Sequence, residues 1–157
     1  MKRVFFVVVA CFFWLASHSA VFAEDAQISK LEPVTVAGAN SATMFTAEVA
    51  DTETLRERGL MFRHILPPDN AMLFDFGKPR PVAMWMKNTN ISLDMLFIRA
   101  DGTIAAIAEN TVPQSLDIVS VQEPVRGVLE VAAGTVKKLG LHTNDKVFHR
   151  IFNTSEE

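Results

Sequence analysis

The stretch VAMWMKNTNISLDMLFI, residues 82–98, decides how this chain folds. It reads as two apolar strands, VAMWMK and LDMLFIRA, around a polar bend, NTNIS. Alternation along a strand puts Trp85 and Lys87 on one face and Met84 and Met86 on the other. In the second strand Asp94 shares a face with Leu96 and Ile98. Both strands carry apolar residues on both faces, which a single sheet with one wet side does not explain.

Working outward, Asp101-Gly102 is a two-residue hairpin signal, so TIAAIAEN should return antiparallel to LDMLFIRA. Residues 111–126 read as a long loop with Pro113 and Pro124 near its ends, long enough to cover a site. GVLEVAA is a strand, GTVKKLG a short helix and DKVFHRIF the closing strand. Upstream, GKPRP reads as a turn and AMLFDF as a strand, while Pro67-Pro68 forbids regular structure in the connection before it. TETLRER is a short helix, capped by Asp51 or Thr52 and stopped by Gly59. PVTV and ATMFTAEVA are strands around an AGANS hairpin loop. The class is α+β, mainly β: a small barrel-like, largely antiparallel sheet with two short helices over its ends.

The first residues belong to a different kind of segment. Lys2 and Arg3 precede an apolar run, Val4 to Ala16, that is shorter than the roughly 20 residues a spanning helix needs. AVFA then ends in Ala23, which marks a secretory signal peptide over residues 1–23. The rival is a lipid-modified Cys11 after VVA, but cleavage there leaves almost no apolar region before it. Residues 24–31 read as a flexible leader, 32–152 as one domain and 153–157 as a polar tail. The processed chain has no cysteine, so its core alone must hold it together. It carries 13 basic and 18 acidic residues, a net charge of −5. That balance argues against nucleic acid as a partner. No membrane span is expected after cleavage.

Several blocks occur in a familiar order: ERGLMFR (57–63), MLF (72–74), WMKNT (85–89), LDMLFI (93–98), VLEVAAG (128–134) and the late Asp145. The chain resembles the family called domain of unknown function 192, over roughly residues 43–150. The resemblance implies a β-rich fold and a secreted or periplasmic bacterial protein, and it lends no activity. The chain departs from the family pattern at four places. Ser92 stands where the family usually has Pro, and Asn144-Asp145 where it has Gly-Asp. Gly127 stands where it often has an aromatic residue, and Ala71 where it has Gly.

Lys87, Asp94 and Glu130 are charged groups inside apolar strands, and Arg58 and Arg63 flank the GLM block. One reading is a polar pocket for a small polar ligand or a protein, with Arg63, Trp85, Lys87, Asn88, Asp94 and Glu130 as its candidate binding set. Lys87 and Asn88 would donate, and Asp94 and Glu130 would accept or act as an acid–base pair. The other reading is a structural lock, in which Lys87 bridges the carboxylates and Asp94 accepts backbone N–H groups at the bend. Breaking such a buried pair costs about 3–5 kcal/mol. The lock is favoured, since ion-pair networks of this kind are common in ordinary cores.

The expected function is a non-catalytic binding or interaction module without a cofactor. The first alternative is a small hydrolase or lyase using Asp94 and Glu130. The second is Cu(I) binding by Met44, Met61, Met72, Met84, Met86 and Met95, weighed against the usual role of methionine as core filler. His64, His142 and His149 show no metal-ligand spacing, and His149 reads as a strand residue. No nucleophile elbow, phosphate loop or dinucleotide fingerprint occurs.

Overall fold

The computed structural model describes residues 29–39 and 42–152. The segment read as a signal peptide, most of the residues read as a leader and those read as a polar tail lie outside these residues. Seven strands form the sheet: β1 (Lys30–Ala37), β2 (Ala42–Ala50), β3 (Asn70–Met84), β4 (Leu93–Ile98), β5 (Ile104–Ala108), β6 (Val119–Ala132) and β7 (Lys146–Phe148). Their order is β5-β4-β6-β3-β2-β1-β7. A bridge between Thr103 and Lys146 joins the two ends, so the sheet is a nearly closed barrel. All strand pairs are antiparallel except β2 with β3. Two short helices complete the fold, α1 (Glu53–Arg58) and α2 (Thr135–Leu139).

The double apolarity of the strands has a direct cause. Val34, Phe45, Leu73, Leu96, Leu129 and Val147 fill the barrel. Alternate residues of β3, β4 and β6 face the other way and build a second core from Met72, Phe74, Met95, Phe97 and Val128. Parallel strands cannot be joined by a tight turn. The β2–β3 connection therefore crosses over this second face, carrying α1 with it. Thr52 caps α1 by accepting the Leu55 N–H, and Gly59, with φ of +47°, ends it as expected.

Five element boundaries differ from the sequence reading. GKPRP is not a turn but the middle of β3, which runs on through register shifts between Asp75 and Val82. Past Phe74, β3 has no β2 neighbour, so Pro79 and Pro81 need not donate to a ladder on that side. VAMWMK leaves the sheet at Met84. The long loop is shorter than expected, because β6 starts at Val119 and pairs with the far half of β3 as a two-stranded ribbon. The closing strand is only Lys146–Phe148, followed by a 3-10 turn, Arg150–Phe152. His149 lies between them, not in a strand, with Nε2 3.0 Å from the Glu32 carboxylate. Glu32 also accepts two hydrogen bonds from Arg150, which ties this segment to β1. β1 itself begins at Lys30, inside the segment read as leader.

Candidate functional site

The α1 crossover leaves a cleft of about 440 Å3 between itself, the base of the β3–β6 ribbon and the segment after β3. Glu130 forms part of its lining. It sits on β6 directly between Met72 on β3 and Met95 on β4. The side chain is 4% exposed, and among the described residues no hydrogen bond or ion pair reaches its carboxyl. Burial without a partner pushes this carboxyl up from 4.5 to about 8. At neutral pH it is therefore an uncharged acid, able to donate a hydrogen bond into the cleft.

Asp94 sits elsewhere. It lies opposite Val131, the neighbour of Glu130, so the two carboxyls point to opposite faces of the sheet. Asp94 is fully buried, accepting the Asn110 N–H at 2.8 Å and the Val136 N–H at 2.9 Å. It therefore pins the end of β5 and the first turn of α2 to β4. The acid–base pair of the enzyme reading does not form. The favoured lock does not form either, because Lys87 reaches neither carboxylate. Its ammonium lies 5.1 Å from the Trp85 ring centroid. The lock reading is right about Asp94 accepting backbone N–H groups, though from α2 and the β5 exit and not from the bend.

The remaining candidates divide. Trp85, Lys87 and Glu130 line the cleft. Arg63 does not; it makes two hydrogen bonds to Glu48, at 2.5 and 2.7 Å. Asn88 stands behind the wall. Its side-chain amide donates to the Met61 sulfur at 3.8 Å, and its carbonyl accepts the Phe62 N–H at 2.8 Å. Asn88 and Phe62 both hold positive φ, 56° and 64°, so strained backbone frames this side of the cleft. Sequence reasoning missed Arg56 and Arg80 as lining residues. Arg80 was hidden inside the supposed turn, and Arg56 lies on a helix whose packing face no residue spacing revealed.

Five of the six methionines weighed as copper ligands cluster on this side of the sheet. Met72, Met84, Met86 and Met95 belong to the second core, and Met61 lines the cleft. Met44 is 68% exposed on β2. No group of three or more His, Cys, Asp or Glu side chains able to hold a metal occurs among the described residues. No helix among them is long and apolar enough to cross a membrane.

Residues 34–149 match the profile of DUF192, described as "Uncharacterized ACR". The chain belongs to the DUF192 family. Among curated proteins none matches it. Two crystal structures share this DUF192 fold. One is a Sinorhizobium meliloti 1021 protein labelled a candidate transcription regulator, 48% identical, with a TM-score of 0.77. That match covers 79% of this chain and 97% of the other. The second is a protein of unknown function from Novosphingobium aromaticivorans DSM 12444, 35% identical, with a TM-score of 0.74. It covers 76% of this chain and 85% of that one. The expected DUF192 membership and the mainly β, barrel-like fold are both borne out.

Proposed function

We propose that this DUF192 protein is an exported, non-catalytic binding module whose cleft takes a small polar ligand. One observation carries the reading: Glu130, a carboxyl almost wholly buried in the cleft lining with no partner of its own among the described residues. Buried polar groups in folded proteins are hydrogen-bonded as a rule, and an exception at a cavity wall is where a ligand group belongs. The basic residues, apolar run and AVFA ending of residues 1–23 support export. The regulator label of the S. meliloti relative fits less well, because the sequence is net negative and the described helices span only six and five residues.

Fragment screening by NMR on the isotope-labelled protein tests the cleft. Binders should shift the Trp85 indole and the Glu130 and Thr89 amides together. A library whose hits all fall elsewhere removes the reading. Mass spectrometry of the exported fraction should give Glu24 as the first residue; an intact or lipidated start would sink the compartment. A second reading, Cu(I) binding, draws on Met72 and Met95 flanking Glu130, with Met61 and Met84 at the same cleft. A Cu(I) titration that leaves Trp85 fluorescence unchanged at micromolar metal discards it.

A further inference from the structure

The cleft has a charge balance opposite to that of the chain. The sequence is net −3, yet Arg56, Arg58, Arg80 and Lys87 all line this one cleft. The acids there are Glu53 and Glu57, exposed on α1, and Glu130, which keeps its proton at neutral pH. Elsewhere, Arg63, Arg99, Arg126, Lys146 and Arg150 each meet a carboxylate. Among the described residues, none of the four cleft cations makes an ion pair, and Arg58 acts on the Glu48 carboxylate through its charge alone. Arg56 donates to the Asp51 and Asp75 carbonyls.

Three of the four are held over rings instead, Arg56 among them at 5.9 Å from the Phe76 centroid. The Arg80 guanidinium stands 4.9 Å from the Phe76 centroid, and the Lys87 ammonium 5.1 Å from that of Trp85. An aromatic face orients a cation while leaving outward N–H donors unused. A donor fixed in place and lacking an anion loses little entropy when an anion arrives. Leu60 and Phe74 give the cleft an apolar wall, and 440 Å3 is the size of a small-molecule site.

We infer that the cleft selects a small amphipathic organic anion, its acid group held by Arg80 and Lys87, its apolar body against Leu60 and Phe74, and an acceptor atom facing Glu130. This rests on the cleft being a binding site, and the test separates the two claims. Calorimetric titration of the purified protein with 2-naphthoate, 2-naphthyl phosphate and the neutral 2-naphthamide compares one body with three heads. One of the two anions should bind at least tenfold tighter than the amide; which one does so identifies a carboxylate or a phosphate head. Raising the salt from 0.05 to 0.5 M should erode that preference. Arg80→Ala with Lys87→Gln should abolish it, so that neither anion binds more tightly than the amide. If the amide binds as tightly as both anions, the cleft remains a binding site and the anion inference fails. If no probe binds at millimolar concentration, the anion inference fails as well, and fragment screening decides the cleft. Should the double variant not fold, the salt series on the unaltered protein decides the matter: a preference that does not move with salt overturns the inference.

Discussion

Glu130 is a carboxyl that the fold holds preferentially in its protonated form. In the unfolded chain it releases its proton near 4.5, and in the folded protein near 8. Between these values the native state binds more protons than the unfolded state, so stability falls as pH rises through the window and levels off above it. The interval amounts to on the order of 4–5 kcal/mol. Glu130→Gln is uncharged throughout. Its melting temperature should match the parent's at pH 5 and exceed it by about 15 °C at pH 9. Burial holds His149 below its ordinary 6.5 and tilts stability the other way within the window, but it does so equally in both proteins. A variant that already loses several degrees at pH 5 would show that the carboxyl has a structural partner. Asp94 makes the opposite case. Asp94→Ala leaves the Asn110 and Val136 N–H groups without their acceptor in a buried site. The loss should be about 3 kcal/mol, or roughly 10 °C by calorimetry. Asp94→Asn, which keeps one oxygen, should recover part of it.

Among the elements, strands and turns with strong local signals were legible. Asp101-Gly102 makes its hairpin, Thr52 and Gly59 bound α1, and GTVKKLG holds α2. The β3–β6 ribbon was not legible, because Pro79, Pro81 and Pro124 are breakers in any central strand. They are harmless where a strand has a neighbour on one side only, and neighbours are not written in a local pattern. The site divides in the same way. Period two placed Asp94 with Leu96 and Ile98, and the same alternation sets Glu130 on one face with Val128 and Ala132. Whether those faces coincide depends on the β4–β6 register, which pairs Asp94 with Val131. One residue of register separates a carboxyl pair from two carboxyls on opposite faces. Gly127 shows a departure from the family pattern made good by another element. A Cβ there would stand 2.8 Å from the Phe74 carbonyl oxygen and 3.2 Å from the Phe152 ring, which fills the space above the glycine. Gly127→Ala should therefore destabilise by about 1–3 kcal/mol, seen as a lower denaturant midpoint with an unchanged slope.

At the scale of the whole molecule, a single sheet supports two cores, and the functional candidate belongs to the outer one. Among the described residues, the barrel interior is sealed by all seven strands, whereas the second core is roofed by α1 and the segments after α1 and β3. Hydrogen exchange should divide accordingly. Amides of β4 and of β6 from Val128 to Ala132 should be the slowest, and those of α1, which buries no residue, among the fastest. Uniform protection across both would mean that the cleft wall is as rigid as the barrel.

The seam between Thr103 and Lys146 gives the barrel an order of assembly. β7 follows every other strand in the sequence and contributes three residues, yet β1 and β5 both end against its segment. Until it docks, two strand edges lie open, and an open edge pairs as readily with another molecule as with its own chain. Weakening the seam should change the company the protein keeps before it changes what the cleft holds. Val147→Asp, which puts a charge at a fully buried seam position, should yield strand-exchanged dimers and aggregates on a sizing column.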